Sequence, residues 1–489
     1  MQPTRRDIIR YSTLTFAAAR TKINADERTE VNDIHSQLNR TCVARVVRPQ
    51  SLEQLREAIL QARREGLCVS VSGSRHSMGG QQFGTGMVLL DIRGLNRVTA
   101  FDGASRTIEA EAGIEWPELL SELNRLQAGS PSQLGIFQKQ TGADRLSLGG
   151  ALASNVHGRG LNLKPFINDV ESFQLMNAEG DLLCCDRSTH PDLFRLVIGG
   201  YGLFGVVTSV RLRLTPRVKV RRVVRIADTQ EIPDAFAGRI RDGYLYGDFQ
   251  FATDSGRDSF LRRGVFSCYQ PVDPDTPLTQ NPTRFHPEDW ARLTYYSHTH
   301  KRLAFNLYTK RYLATSGQIY YHDWQLSAAY QPGYHLELDR KMGAAVKATE
   351  MITEIYVPRS ALVSFMEEAR RVLREGRANL IYGTVRLIEK DEESFLRWAR
   401  QSYACVIFNL HVTHDAGGLD AAARAFRALI DLGIERDGSF YLTYHRWATR
   451  RQVEICYPQF RDFLAQKLVY DGGEVFQSDW YVHHKVMLA

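Results

Sequence analysis

Short β-branched runs and stretches of helical spacing alternate along the first part of the chain. "VARVVRP" (43–49) is a β-branched run stopped by proline. In "SLEQLREAILQARREG" Leu52, Leu55, Ile59 and Leu60 recur on one helical face. Ser51 stands where an N-cap belongs, a glutamate follows near the third position, and Gly66 ends the pattern. "LCVSVSG" reads as the next strand, so this stretch is a βαβ unit whose second strand feeds a glycine-rich turn. "MVLLDIRGL" and "TIEAEAGI" continue as strands, and "WPELLSELNRL" is an amphipathic helix with Pro117 near its start. "VESFQLMN" and "LLCCD" are strands flanking the turn Ala178-Glu179-Gly180. "HPDLFRLVIGGYGLFGVVTSVRLRLTPR" predicts a short helix, a glycine turn and a long alternating strand.

The pattern changes near Pro216. Residues 217 to 440 are richer in aromatics and in strand-like runs: "YLYGDFQF", "LAFNLYTKRYL" and "GQIYYHDWQLSAAY". Two amphipathic helices fall around 360–375 and 419–432, and the proline-rich stretch 271–282 reads as a surface loop. This mixture predicts an antiparallel sheet with helices on one face, an α+β unit.

A chain of 489 residues with 43% apolar content can bury a large core and exceeds one ordinary domain, so two domains are expected. A net charge of +7 suits an anionic ligand. No dense Lys/Arg run with interleaved aromatics occurs, and no nucleic-acid partner is expected. The seven cysteines are scattered without a CxxC pair, which argues against a zinc knuckle, a redox dithiol or a disulfide framework. No run approaches the roughly 18 apolar residues of a spanning helix, so stable membrane insertion is not expected. At the N-terminus Arg5 and Arg6 precede a mildly apolar stretch. This resembles a twin-arginine export signal and would send the protein to the periplasm; read as a frayed basic leader, it leaves the protein cytoplasmic.

Two glycine loops carry the candidate chemistry. The first is Ser72-Gly73-Ser74-Arg75-His76-Ser77-Met78-Gly79-Gly80. Glycines let backbone approach a ligand closely, and successive amides in such a turn form an anion-binding concavity. It is neither a GxGxxG fingerprint nor a Walker loop. The second, "LSLGGALASNVHG" (146–158), is made of small residues that let a large flat group lie against the backbone. A histidine among glycines and serines is the odd residue of the first loop, since the turn needs no imidazole.

The βαβ unit, the "GSRHS" turn, "LSLGGALASNVHG" and "GGYGLFGVVTSVRLRLTP" together resemble the FAD-binding domain of the vanillyl-alcohol oxidase / p-cresol methylhydroxylase flavoprotein family. The resemblance is loose through the aromatic middle and returns at 457–481. Within that family the chain looks closest to the sugar- and polyol-oxidising branch of alditol and aldonolactone oxidases and decaprenylphosphoryl-ribose oxidases. The fold implied is α+β: a two-subdomain FAD-binding domain of the PCMH type, with an inserted α+β cap built on an antiparallel sheet. The boundaries expected are a leader at 1–40, the FAD domain at 41–216, the substrate cap at 217–450, and a segment at 451–489 returning to the FAD domain.

The resemblance implies FAD as cofactor, bonded covalently through His76. A neutral imidazole is nucleophilic near pH 7. The backbone of Ser72, Gly73, Ser74, Arg75 and Ser77, with Gly80, would cradle the pyrophosphate. Thr141, Ser147, Gly149, Gly150 and Asn155 would line the second side, Val207 would approach the adenine end, and His157 would face the flavin or serve as a loop histidine. If Gly149 or Gly150 lies over the reactive carbon, oxygen could reach it. No cysteine lies in 141–160, which argues against a second, cysteinyl tether.

On the substrate side, relatives place a cation near the flavin. Arg386 in "YGTVRLIEKDE" matches loosely, with Thr384 where some relatives carry a carboxylate. "YLTYHRWATR" lies about where aldonolactone-type relatives carry "HWGK"; the lysine is absent, and His445 or Arg446 would replace it. His445 would be the general base, and Tyr441 and Tyr444 would bind substrate hydroxyls. His322 and His411 read as core histidines, the tyrosines of 295–334 as sheet core, and "WYVHHK" (480–485) as docking surface. His298 and His300 suggest a metal, but no third ligand stands at suitable spacing, so no metal is expected. The reading is an FAD-dependent alcohol oxidoreductase acting on a small-molecule sugar, polyol or lactone and reoxidised by oxygen. The alternatives are a dehydrogenase passing electrons to a quinone or carrier protein, and an inactive flavin- or ligand-binding protein.

Overall fold

The computed structural model describes residues 29–326 and 333–489. The arginine pair lies outside the described residues. Residues 29–40, assigned above to the leader, belong to the folded body. There β1 (Thr29–Val31) pairs antiparallel with β2 (Thr41–Val43), and Val31 and Val43 cluster with Phe83 and Leu89.

β3 (Arg45–Val47), α1 (Leu52–Arg64), β4 (Val69–Ser72) and β5 (Val88–Asp91) follow. Their parallel sheet has the order β3-β5-β4, so β5 inserts between the two strands that α1 joins. Ser51 Oγ accepts from the Gln54 N–H, and Leu55, Ala58, Ile59 and Ala62 are buried. Burial of Leu55 or Ile59 contributes roughly 1.5–3 kcal/mol each. Leu52, placed on that face by spacing, is exposed in the first turn.

A second, antiparallel sheet of order β10-β9-β11-β7-β6 uses β6 (Val98–Asp102), β7 (Thr107–Glu111), β9 (Val170–Met176), β10 (Leu182–Cys185) and β11 (Val206–Arg213). Two short strands, β8 (Leu134–Gly135) and β12 (Thr215–Pro216), pair where the chain leaves it. The helices here are α2 (Trp116–Leu126), α3 (Leu148–Ala153) and α4 (Pro191–Val197).

The third sheet is antiparallel and has eight strands. In chain order they are β13 (Lys219–Asp228), β14 (Tyr246–Phe251), β15 (Arg263–Pro271), β16 (Ile319–Tyr321), β17 (Ala348–Pro358), β18 (Leu380–Ile388), β19 (Tyr403–Thr413) and β20 (Ser439–Phe440). Their spatial order is β16-β13-β15-β14-β18-β19-β17-β20. Successive side chains on a strand point to opposite faces. Met351, Ile355 and Val357 of β17 join the core with Phe365 and Ala369 of α9 (Leu362–Glu375) and Phe426 and Ile430 of α10 (Ala416–Ile434). Glu350, Ile352 and Glu354, on the other face, line a cavity. The remaining helices of this unit are α5 (Ile232–Arg241), α6 (Pro287–Thr299), α7 (Lys301–Leu313) and α8 (Tyr334–Met342).

Two strand expectations are corrected. "LAFNLYTKRYL" lies within α7, and among the described residues of "GQIYYHDWQLSAAY" only Ile319–Tyr321 is strand. Lys301, Ala304, Phe305, Tyr308 and Tyr312 all line the cavity, a helical spacing that the β-propensity of the aromatics concealed. Tyr295 and Tyr296 accordingly sit on α6 rather than in a sheet core.

The C-terminal segment holds α11 (Arg450–Cys456), α12 (Phe460–Tyr470) and α13 (Asp479–Leu488). Its approach to α13 runs along the edge of β4: the Val69 N–H donates to Val475 O at 2.7 Å, and the Gln477 N–H donates to Val69 O at 2.9 Å. Trp480 is buried against Tyr201, ring centroids 4.8 Å apart. Among the described residues no helix is long and apolar enough to cross a membrane.

Candidate functional site

A cavity of about 1130 Å³ lies between the glycine loops and the polar face of the eight-stranded sheet. Pockets for one drug-sized ligand run about 300–1,000 Å³, so this one has room for a dinucleotide and a second molecule.

The floor is built where two loops touch. A Cβ on Gly73 would lie 1.9 Å from Ser147 Oγ, a distance only a hydrogen can satisfy. Ser147 in turn caps α3, its Oγ accepting from the Gly150 N–H at 3.3 Å. Arg75 has φ of 59°, a left-handed residue that turns neighbouring amides toward one side. Gly142 and Gly202 also line the cavity; a Cβ there would meet nothing within 4 Å at Gly142 and only Val71, at 3.8 Å, at Gly202. These bare backbone walls fit a long, flat, anionic ligand such as FAD. Gly149 has a different reason. Its missing Cβ would meet Ala112 at 3.0 Å and Ile92 at 3.3 Å, so close packing of α3 against the segment just past β7 accounts for it.

His76 lines the cavity above this floor. Its Nδ1 lies 2.7 Å from Nε2 of His35, and the two rings meet edge to face. Burial pulls the His76 pKa down to about 4, so the imidazole is neutral at pH 7. Burial, then the neighbouring His76, holds His35 well below its ordinary value.

The opposite wall carries a buried polar cluster. Glu354 Oε1 lies 2.6 Å from His157 Nε2, and His157 Nδ1 lies 3.1 Å from the Gly158 carbonyl. A ring nitrogen that faces a carbonyl must donate, so Nδ1 carries hydrogen, and a second proton lies between Nε2 and the carboxylate. Tyr444 reaches the same carboxylate; burial, then the Glu354 charge, pushes its phenol well above 10. Arg386 shares the cavity wall, has no ion-pair partner among the described residues, and holds a buried Nε without a hydrogen-bond acceptor. Gln250 Oε1, Thr384 Oγ1 and Asn409 Oδ1 are further buried polar atoms without partners on or beside this face. Unpaired buried polar groups are costly, so their convergence here suits a ligand rich in hydroxyls.

Of the residues selected from sequence, Gly73, Ser74, Arg75, His76, Ser77, Thr141, Ser147, Gly149, Gly150, His157, Val207, Arg386 and Tyr444 line the cavity. Five do not. Ser72 is buried in β4, and Gly80 makes a turn beside Asn39. Asn155 holds the body together: its Nδ2 donates to Asp391 Oδ2 at 3.0 Å, and its Oδ1 accepts from the Ile167 N–H at 2.9 Å. Arg446 points to Asn39. His445 is packed away from the cavity, stacked on Phe426 at 4.8 Å. Its Nδ1 accepts from the Trp447 N–H, so Nε2–H donates to Thr353 Oγ1 at 3.1 Å. Burial lowers its pKa to about 3. With both nitrogens committed, His445 is not the cavity's base.

Sequence reasoning missed Glu354 and His35. The carboxylate absent at Thr384 comes from a different strand, since Glu354 of β17 sits opposite Ile407 of β19, which sits opposite Thr384 of β18. The signal was present: two glutamates, Glu350 and Glu354, stand four apart in the otherwise apolar "ATEMITEIYVP" and therefore share one face. His35 had no signal, because it was counted with the leader.

Residues 43–186 match the family model described as an FAD binding domain. An uncharacterized oxidoreductase, ORF5 in the fasciation locus of Rhodococcoides fascians, is 33% identical over 35% of this chain and 37% of its own length. Cytokinin dehydrogenase 6 of Oryza sativa subsp. japonica is 33% identical over 32% of this chain and 30% of its own. L-gulonolactone oxidase of Bos taurus is 25% identical over 40% of this chain and 42% of its own. The chain thus matches well under half the length of each of these relatives. The matched part supplies His157 and most of the floor of the cavity. Its polar roof, from residue 217 on, lies beyond the family model.

Proposed function

We propose that this chain is an FAD-dependent oxidoreductase that oxidises a CH–OH group of a polyhydroxylated small molecule. The observation that carries the reading is the buried Glu354–His157–Tyr444–Arg386 cluster facing the glycine floor across one cavity. FAD, when bound, supplies the two-electron acceptor. In this reading 41–216 and 451–489 hold the cofactor and 217–450 forms the substrate cap. The names of similar proteins, L-gulonolactone oxidase and cytokinin dehydrogenase among them, agree with an oxidoreductase and leave the electron acceptor open.

The chain's own residues divide the work. Glu354 accepts the substrate's hydroxyl proton. His157, held by the Gly158 carbonyl, keeps the carboxylate oriented and stores the second proton of the pair. Arg386 stabilises negative charge on the substrate oxygen or on the reduced ring system, and Tyr444 fixes a substrate hydroxyl. The unpaired groups of Gln250, Thr384 and Asn409 take further hydroxyls. Neutral His76 is the residue at which the cofactor would be tethered, and His35 would orient its ring through the contact at Nδ1.

Absorption spectra and an anaerobic substrate screen test the reading. Purified protein should show flavin bands, and a sugar, polyol or lactone should bleach them without air. Folded protein that takes up no FAD, or FAD-loaded protein that no hydroxylated donor reduces, would overturn it. Reoxidation by air against reoxidation by a quinone then separates oxidase from dehydrogenase.

A further inference from the structure

A second histidine–carboxylate cluster stands beside the first along β17: Glu350 and His298 line the same cavity, and His411 lies behind them. His298 Nε2 lies 2.7 Å from Glu350 Oε1, and His411 Nδ1 lies 3.3 Å from the same oxygen. The ligand atoms of His298, Glu350 and His411 all fall within 4.8 Å of one another. From this we propose that the three side chains bind one divalent transition-metal ion, Zn²⁺ by donor set, with its open positions toward the cavity. The proposal is independent of the oxidoreductase reading.

Three observations carry it. The first is the tautomer of His298. Its Nδ1 lies 2.7 Å from the Thr294 carbonyl and must donate there, which leaves a lone pair on Nε2 in the neutral ring. That lone pair faces a carboxylate oxygen at 2.7 Å, so a cation belongs between them: a proton, as between His157 and Glu354, or a metal ion that displaces it. A backbone carbonyl behind the distal ring nitrogen is the usual support of a metal-ligating histidine. The second is the orphan oxygen. Glu350 Oε2 is buried and has no hydrogen-bond partner, although Glu350 lines the cavity. The third is rigidity. Glu350 and His411 are directly opposed in the β17–β19 register, and His298 descends from the last turn of α6. Ligands on two strands and a helix are held more precisely than ligands on loops.

Tetrahedral zinc with bonds of about 2.1 Å separates its ligand atoms by about 3.4 Å. The His411–Glu350 separation of 3.3 Å matches this, and the 2.7 Å of His298–Glu350 must open by about 0.7 Å, through rotation of the carboxylate, to admit the ion. Two imidazoles and one carboxylate leave an open position, the pattern of sites that bind water or a substrate oxygen rather than closed structural sites. The open position would take water or an oxygen of the cavity's ligand. The metal considered from sequence at His298 and His300 therefore keeps only His298: His300 Nδ1 turns to Thr299 Oγ1. The missing partners stood 52 and 113 positions downstream of His298, and only the sheet brings them together.

The test uses the full-length protein, dialysed against EDTA and titrated with ZnCl₂. Calorimetry and elemental analysis after gel filtration should give one tightly held Zn²⁺ per chain. His298→Ala, His411→Ala and Glu350→Gln should each lower occupancy at least about tenfold. Glu354→Gln should keep it, because Glu354 belongs to the neighbouring pair. Cobalt supplies a readout that needs no variant: Co²⁺ loading should produce visible d–d bands that one equivalent of Zn²⁺ abolishes. Wild-type protein that holds no Zn²⁺ and gives no such bands overturns the proposal. So does undiminished occupancy in His298→Ala or Glu350→Gln.

Discussion

His157 and Glu354, 197 positions apart, meet at 2.6 Å in the roof of the cavity. The pair couples the second glycine loop to the polar sheet. It therefore joins the part of the chain that fits the cofactor to the part that has room for a substrate. Glu354→Gln removes a proton acceptor without removing volume. Turnover should fall about 10²–10⁴-fold while bound FAD per chain stays constant. Stopped-flow measurement of flavin reduction checks this, and an unchanged rate would remove Glu354 from the chemistry.

Arg386 has no ion-pair partner among the described residues and a buried Nε without an acceptor. Arg386→Met should lower kcat by about 10²–10³-fold with a smaller change in KM. Arg386→Lys should recover part of it, since charge returns without the planar fork. A raised KM with kcat unchanged would mark Arg386 as a substrate-binding residue only.

The His35–His76 contact predicts two distinct flavin phenotypes. His76→Ala should release the yellow colour to the supernatant on acid precipitation. His35→Ala should still bind FAD but accumulate the acid-stable form more slowly. Identical acid-stable fractions in wild type and His76→Ala would show that His76 carries no tether.

Gly73 leaves no room for a side chain beside Ser147. Gly73→Ala should cost about 1–3 kcal/mol through overpacking and reduce FAD content. Gly73→Ala combined with Ser147→Ala should recover only part of that stability, because Oγ is gone but Ser147 Cβ still lies 2.8 Å from the added carbon and the α3 cap is lost. Thermal unfolding with and without added FAD measures both effects.

Burial lowers His445 and His484 to about 3 from an ordinary 6.5. The unfolded chain therefore binds more protons than the folded one between those values. Stability should be complete above about pH 6.5 and decline by a few kcal/mol as pH falls toward 3. His445→Phe, which keeps the stack on Phe426, should flatten that decline. Urea midpoints at pH 7, 5 and 4 read the slope, and an unchanged slope would show that His445 does not contribute.

Much of the floor was legible along the chain because its signals are local. A glycine turn after a strand, Ser51 and Ser147 as caps, and an apolar stripe at helical spacing are set by neighbours within a few residues. The histidine in the turn was conspicuous for the same reason. The roof was not legible. Aromatic side chains favour strands on average, yet in α7 they recur at helical spacing to line a cavity, and burial overrode propensity. Glu354, Glu350 and His411 become neighbours through strand register, and no local rule fixes which strands of an eight-stranded sheet adjoin. His445 failed as a base for the complementary reason: its type suits catalysis, but its packing commits both nitrogens. Sequence determined the chemistry available and the loops that would cradle a cofactor. Tertiary structure alone decided which acids and imidazoles meet, since those contacts are set by packing between residues hundreds of positions apart.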